Sequence, residues 1–443
     1  MRSAADRPLR SEVPAGLGLR GQPLAAEPRG GDRGAFTGPG PYLVLNASIA
    51  SPGAGDRSAK ARAEVLAAEI KSGSCQGPER AQLLRLLRWQ RQSAARVLLQ
   101  NQKPWRGRKP YKVSKCYRVN RKPSVEVNYS ARVKRAHYAG LVTCASVWVC
   151  PVCSAKITER RRAEIQAAET RGLSAFMVTF TLQHAREDKL RDVRDHLAAA
   201  YRRLKAGKGW MLFAERWQIV GSVAGVEVTY GLANGWHPHR HVLMWSRLAA
   251  SAIDAAQIQA ELSRKFGAIL EKRGRYAHPI HGVDVRAAGD LIAEYIAKFG
   301  HEPKDQSWSL AAEITKGGAK SVLCQDQHYT PFQLLDLFLA GDRSAGALFR
   351  EYASAMFRSN QLVWSRGTRE LLGLVAVAAT DEELAAAQEQ DAELFALLSA
   401  EDWRGVLRLG LRGHLLEVAS RHERGEFEAW IHASGIHNGD PSQ

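Results

Sequence analysis

The sequence lacks any apolar run long enough to cross a membrane, and its Arg-, Gly- and Pro-rich start lacks the apolar core of a secretory signal. These absences predict a cytoplasmic protein with no membrane partner. The sequence also lacks a Gly-rich nucleotide-binding loop of the Walker type and any internal repeat. A P-loop ATPase and a repeat architecture are therefore not indicated.

Cysteine is scarce, with six residues in a chain of 443, and their spacing is uneven. This pattern argues against a disulfide framework and favours a metal site in a reducing compartment. Acidic residues are outnumbered as well, with 45 Asp and Glu against 63 Lys and Arg, for a net charge of +18. A chain this basic predicts a polyanionic partner, nucleic acid first. The alternative is an arginine-rich composition without functional meaning.

Three cysteines fall within ten residues, in Cys144-Ala-Ser-Val-Trp-Val-Cys150-Pro-Val-Cys153. A Cys-x-x-Cys pair with proline inside is a tight turn whose thiolates can share one tetrahedral ion. Cys116 is the first candidate for a fourth ligand, with His137 in reserve. We therefore predict structural Zn²⁺ at these cysteines. Buried free thiols and a redox pair are the alternatives, although no thioredoxin-like pattern surrounds the motif.

The segment 223–245 reads as a β-hairpin, because two apolar runs flank a turn rich in Gly and Asn. His237, His239 and His241 lie at every second position of the second strand, so their side chains share one face. Glu227 lies on the partner strand. Neighbouring neutral imidazoles beside a carboxylate favour a cation over simple packing.

A predicted helix, Asp290–Phe299, carries Tyr295 and, three residues later on the same helical face, Lys298. A phenol has a pKa of about 10 and is a poor nucleophile at neutral pH. A neighbouring ammonium group and an electrophile held by a metal would make it competent. The Tyr-x-x-Lys spacing is common by itself and gains meaning only beside the histidine strand.

The chain resembles plasmid rolling-circle replication initiators, the Rep proteins of the HUH endonuclease superfamily. Three segments carry the likeness, in the order of the family's motifs: AFMVTFTLQH (175–184), WHPHRHVLMW (236–245) and AEYIAKFG (293–300). Two more resemble segments that precede these motifs in one branch of the family: CASVWVCPVCSAKI (144–157) and EVTYG (227–231). The combination is specific, whereas each motif alone is not.

The resemblance implies ligand roles for the hairpin. His239 and His241 look like the paired metal ligands, and Glu227 resembles the acidic third ligand, with Asp284 as a weaker candidate. His237 is an additional histidine, expected in the outer sphere. The implied catalytic cation is Mg²⁺ or Mn²⁺.

Tyr295 looks like the nucleophile of the family, assisted by Lys298. Phe299 stands where some relatives have a second tyrosine, so a single-tyrosine enzyme is expected. Leu291 occupies the position where some relatives carry a glutamate that activates water. Asp290 and Glu294 flank that position, and the role remains unassigned between them.

Three basic residues are candidate DNA contacts: Arg240, Lys156 and Arg160. Arg240 occupies the middle of the His-x-His motif, where the family has a hydrophobic residue, so its side chain is expected to face DNA or solvent.

The predicted fold is α+β, with a central antiparallel sheet, helices on one face, a zinc-knuckle region before it and a helical C-terminal module. The predicted domains are a disordered basic arm (1–57), a helical segment (58–103), a zinc-knuckle region (104–160), an HUH nicking domain (161–302), its helical extension (303–375) and a C-terminal helical module (376–443).

The implied function is nicking of single-stranded plasmid origin DNA, which leaves a 5′-phosphotyrosine link and frees a 3′-OH primer. Host helicase and DNA polymerase are the implied partners. A relaxase or single-strand transposase of the same superfamily, a non-catalytic zinc-containing DNA-binding regulator and a metal hydrolase are the alternatives.

Overall fold

A computed structural model describes residues 78–104, 107, 109–168, 172–287 and 328–436. All of these belong to one structural unit, residues 51–443, while the other unit, residues 1–50, lies outside the described residues together with the rest of the predicted basic arm. The predicted Asp290–Phe299 helix also lies outside them. The positions of Tyr295, Lys298, Asp290 and Glu294 are therefore not part of the description.

The first half of the described chain alternates helices with antiparallel strands. Its elements are α1 (Pro78–Leu99), β1 (Val125–Ser130), β2 (Arg135–Ala139), α2 (Pro151–Gln166), β3 (Ser174–Phe180), α3 (Leu190–Leu204), α4 (Lys208–Arg216), β4 (Ile219–Gly231), β5 (Gly235–Ser246), α5 (Ala255–Glu271) and β6 (Val283–Ala287).

The second half is mostly helical. Its elements are β7 (His328–Tyr329), α6 (Pro331–Leu339), α7 (Arg343–Ala355), β8 (Leu362–Trp364), α8 (Thr368–Leu371), α9 (Asp381–Ala386), β9 (Ala392–Leu398), α10 (Ala400–Leu409), α11 (Arg412–Ala419) and α12 (Arg424–Ala433). Helix α6 begins at a capping box that Thr330 and Gln333 form, with Pro331 in the first turn.

The main sheet has six strands within the described residues, in the order β6-β3-β5-β4-β7, with β8 also paired to β4. Every strand pair in it is antiparallel. The predicted α+β class with a central antiparallel sheet is therefore confirmed.

Helices α3, α4 and α5 cover one face of this sheet. Phe176, Val178 and Phe180 alternate along β3 toward that face and are fully buried with Leu197 and Phe266 of the helices. Each such side chain contributes about 2 kcal/mol through removal of apolar surface from water. This layer fixes which residues of β5 point toward the helices and which point away.

The opposite face changes character along the strands. At one end Met177, Val223, Leu243 and Trp245 pack in a second apolar cluster with Ile165 of α2. Further along β5, on the same face, the positions are taken by histidines. The histidine strand thus leaves a packed core at Leu243 and continues as a polar surface.

The β4–β5 turn has the position that the sequence predicts, with Gly231 paired to Gly235. Gly235 has a φ of 75°, and a Cβ atom there would lie 2.7 Å from the carbonyl oxygen of Arg186. Glycine is therefore required at this turn, both for its backbone angle and for its close neighbour.

The C-terminal module is mostly helical, as predicted, but it contains a strand that the sequence analysis did not predict. Strand β9 pairs with β1 and completes a three-stranded antiparallel sheet in the order β2-β1-β9. In addition, Arg85 of α1 forms a bidentate ion pair with Glu417 of α11, at 2.6 and 2.8 Å. The module therefore packs on the cysteine-containing region.

No described helix combines the length and apolar character needed to cross a lipid bilayer.

Candidate functional site

The three histidines of β5 share one face of the main sheet. The strand register places Glu227 of β4 directly opposite His239, and Gly225 opposite His241. The rings of His239 and His241 are parallel, with centroids 5.9 Å apart, and those of His237 and His239 are 4.2 Å apart. The sequence-predicted set of imidazoles and a carboxylate is therefore brought together.

His241 is held at both ring nitrogens. Its Nδ1 lies 3.0 Å from the hydroxyl of Thr179 on β3, and its Nε2 lies 3.0 Å from a carboxylate oxygen of Glu227. His241 and Glu227 are 4% and 5% exposed. A buried carboxylate needs a positive or hydrogen-bonding partner, and the position of Thr179 fixes the ring that supplies it.

The His241–Glu227 geometry fits a hard divalent cation. Adjacent ligands of an octahedral ion, each about 2.1 Å from the metal, lie about 3.0 Å from one another. This equals the separation of His241 Nε2 and Glu227 Oε2. Within the described ranges, however, the histidine face has no set of three ligand atoms all within 4.8 Å of one another, a condition that only the cysteine cluster meets.

His184 is a neighbour of this site that the sequence analysis did not assign. Its Nε2 lies 2.6 Å from His237 Nδ1, while His237 Nε2 lies 3.4 Å from the Thr181 hydroxyl. Burial lowers the pKa of His237 to about 4 and also lowers the pKa of His184. Both rings are therefore neutral at pH 7. The sequence feature that could have identified His184 is its position as the last residue of the 175–184 segment.

Asp284, the weaker candidate for the acidic ligand, lies on β6 opposite Thr179, which in turn pairs with His241 on its other side. Its carboxylate accepts a bond of 2.8 Å from Arg286. Strand β3 thus separates Asp284 from the histidines. Glu227, in contrast, lies in direct contact with the imidazole of His241.

Arg240 points away from the histidines. Alternation along β5 directs its side chain to the helix-covered face, where its guanidinium lies 5.0 Å from the ring centroid of Tyr201 on α3. Burial lowers its pKa. Packing against the helices determines the direction of Arg240, and a DNA contact by its half-buried side chain stays a prediction.

Lys156 and Arg160 of α2 make internal bonds. Both donate to the carbonyl of Ala387, at 3.2 and 3.1 Å, and Arg160 also lies 3.2 Å from a carboxylate oxygen of Glu389. These bonds attach α2 to the segment that precedes β9. The two residues thus have a structural role, and a DNA contact by either stays a prediction.

Cys116, Cys144, Cys150 and Cys153 form a buried cluster whose sulfur atoms all lie within 4.8 Å of one another. Three of the Sγ–Sγ separations are 3.5 Å, 3.7 Å and 3.7 Å. Four sulfurs at about 2.3 Å from a tetrahedral zinc would lie about 3.8 Å apart. The cluster can therefore bind a metal such as zinc, with Cys116 rather than His137 as the fourth ligand.

Hydrogen bonds from nearby backbone amides favour the negatively charged form of these sulfurs. Backbone amides donate to them, from Cys153 to Cys150 at 3.5 Å and from Cys144 to Cys116 at 3.3 Å. Burial by itself would raise the pKa of Cys150, but hydrogen bonds from the other three thiols lower it well below its usual value. Burial raises the pKa of Cys144. A metal would convert all four to thiolates.

Comparison with known proteins gives the family. The chain is 31% identical to "Protein rep" of Streptomyces lividans, over an alignment that covers 61% of this chain and 74% of that protein. A shorter stretch is 32% identical to "Neomycin resistance protein" of Streptomyces cyanogenus, covering 24% of this chain and 30% of that protein. No protein-family profile matches the chain, and no solved structure does. With its three motifs and its likeness to most of the Streptomyces lividans protein, this chain belongs to the family of plasmid Rep proteins.

Proposed function

We propose that this Rep protein is an HUH-type endonuclease that nicks single-stranded origin DNA and so initiates rolling-circle replication of a plasmid. The observation that carries the proposal is the pairing of His241 with Glu227, with His239 beside them on the same sheet face. A buried imidazole–carboxylate pair at the edge of an apolar cluster is a poor packing solution and a good cation site.

His239, His241 and Glu227 are the proposed ligands of Mg²⁺ or Mn²⁺. These residues would hold the cation where it would polarise the scissile phosphate and would offset the negative charge of the transition state. Thr179 orients His241 by its bond to Nδ1, so that Nε2 faces the carboxylate. This arrangement is the second-sphere support that metal-binding histidines commonly have.

Tyr295 is the proposed nucleophile. Its phenol loses its proton to solvent and the oxygen attacks the phosphorus atom. The bond from phosphorus to the 3′ oxygen breaks, and that oxygen takes up a proton from solvent. The 5′ phosphate remains esterified to Tyr295, which conserves the energy of the broken bond for later rejoining. Lys298 would favour the ionised phenol by its positive charge. Tyr295 follows the end of β6 by only eight positions in the sequence.

The cysteine cluster is a proposed structural zinc site. Four buried sulfurs at nearly tetrahedral separations, without an open position for substrate, are typical of structural rather than catalytic zinc. The cluster lies in the region that joins α1, the three-stranded sheet and α2. Zinc would therefore stabilise the part of the fold that precedes the main sheet.

The proposed partners follow from this chemistry. Single-stranded origin DNA is the substrate, bound chiefly through its phosphates by a chain of net charge +18. The freed 3′-OH would prime host DNA polymerase, and a host helicase would unwind the duplex ahead of it.

The test is to incubate the full chain with Mn²⁺ and a library of single-stranded oligonucleotides, then to separate the products on a denaturing gel. We expect a protein band shifted by covalently attached DNA, absent when EDTA is added. Cleavage with turnover and without an adduct would indicate a metal hydrolase instead. Binding without cleavage under any condition would indicate a non-catalytic DNA-binding regulator.

A further inference from the structure

Arg412, the first residue of α11, is a buried cation that is 3% exposed. Its guanidinium donates to the Ser93 hydroxyl at 3.0 Å, to the carbonyl of Tyr117 at 3.4 Å and to the amide oxygen of Gln92. It also packs 5.0 Å from the ring centroid of Trp89. Each of these partners is neutral. A buried guanidinium without an anionic neighbour would be costly.

The ionisable groups with the largest effect on Arg412 are Arg118, Tyr138, Cys116 and Cys150. Burial lowers the pKa of Arg412 to about 10, so it is charged at neutral pH. Burial raises the pKa of Tyr138, which keeps that phenol neutral. Among these groups, therefore, only the two cysteines can supply negative charge.

Gln92 connects the two sites. Its amide oxygen accepts from Arg412, and its amide nitrogen lies 3.7 Å from the Cys150 sulfur and 3.2 Å from the carbonyl of Cys116. The side chain is 2% exposed. An amide in this orientation directs its positive end at the sulfur while its negative end faces the guanidinium.

We propose that Arg412 is the positively charged partner of the metal-loaded cysteine cluster, acting through Gln92, so that zinc binding and docking of the C-terminal module stabilise each other. This inference rests on the zinc occupancy proposed above.

Charge balance is the physical reason. Four thiolates around one Zn²⁺ carry a surplus of negative charge, which a nearby buried cation offsets, whereas four neutral thiols offer it nothing. Arg412 belongs to α11 of the C-terminal module, and the cysteines belong to the region before the main sheet. The attraction between their charges therefore holds the module against that region. Linkage then requires that each event favours the other to the same extent.

The experiment compares Arg412→Met with a matched control, Arg85→Met, in the full chain. Arg85 also joins α1 to α11, through its bidentate ion pair with Glu417. Zinc affinity is measured by competition with a chromogenic chelator. We expect Arg412→Met to weaken zinc binding about 10- to 100-fold, a range typical of outer-sphere changes. Arg85→Met should leave the affinity within about threefold, and Arg412→Lys should restore part of the loss because it keeps the positive charge.

Equal zinc affinity in Arg412→Met and the wild-type chain would overturn the inference while leaving the zinc proposal intact. A wild-type chain that binds no zinc would remove both. If Arg412→Met does not fold, the wild-type chain still provides the test by hydrogen exchange. Removal of zinc should accelerate exchange in 412–419 more than in the main-sheet strands, and unchanged protection there would overturn the inference.

Discussion

The Nε2 atom of His241 lies 3.0 Å from the Oε2 atom of Glu227, across the β4–β5 pair of the main sheet. The two residues are 14 positions apart in the chain and both are buried. The hairpin register, with its glycine turn, is what brings them into contact. The proposed ligands of the catalytic cation therefore lie in one hairpin, and each of them can be replaced individually to test the site.

Replacement of His239 and His241 together by alanine should abolish metal-dependent nicking. The variant loses two nitrogen ligands, so its activity with Mn²⁺ should fall to the level that the wild-type chain shows in EDTA. Nicking of a labelled oligonucleotide measures the effect. His432→Ala, which changes an exposed histidine of α12, serves as the matched control and should nick normally. Full activity of the double variant would contradict the site.

Thr179→Val should weaken binding of the catalytic cation about tenfold or more, because His241 loses the hydroxyl that orients its ring. Mn²⁺ titration followed by nicking rate or by isothermal calorimetry gives the affinity. Thr179→Ser keeps the hydroxyl and should retain most of the affinity. If valine and serine behave alike, the 3.0 Å contact at Nδ1 has no functional role.

Tyr295→Phe should abolish the covalent protein–DNA adduct, because it removes the nucleophilic oxygen and little else. Binding of the oligonucleotide, measured by fluorescence anisotropy, should stay near the wild-type value. Tyr276→Phe is the matched control, since Tyr276 is 58% exposed and has no proposed role. An adduct that persists in Tyr295→Phe would move the nucleophile to another residue.

Cys150→Ser should release zinc and lower the Tm by on the order of 10 °C, because metal binding contributes directly to folding free energy. Metal content by atomic emission and a thermal melt measure the two effects. Cys324→Ser, in a cysteine distant in sequence from the cluster, should change neither. If Cys150→Ser changed neither the zinc content nor the Tm, the four cysteines would be interpreted as buried free thiols.

Local patterns predicted the central hairpin of the main sheet. Two apolar runs around a Gly/Asn-rich turn identified the β4–β5 pair and the position of its turn. These patterns involve residues close together in sequence, so they can be recognised without knowledge of the tertiary fold. The family resemblance added the functional order of the motifs.

Other features depend on partners distant in sequence. Strand β9 lies in an acidic, alanine-rich stretch whose composition favours a helix. It forms a strand because it pairs with the edge of β1. The two strands are far apart in sequence, since Ser130 of β1 and Asp391, next to β9, are separated by 261 positions. The direction of Arg240, and the internal bonds of Lys156 and Arg160, likewise reflect packing against α3 and the segment before β9.

By itself the sequence determined the α+β class, the shared face of the three β5 histidines and the candidate cysteine ligands, because strand alternation and Cys-x-x-Cys spacing are local geometry. Only the tertiary structure decided that Cys116 completes the cluster, that His184 contacts His237, and that Arg412 lies beside Gln92. Those contacts join residues that are far apart in sequence and share no local sequence pattern. They form only when burial of the common core brings their helices and strands together.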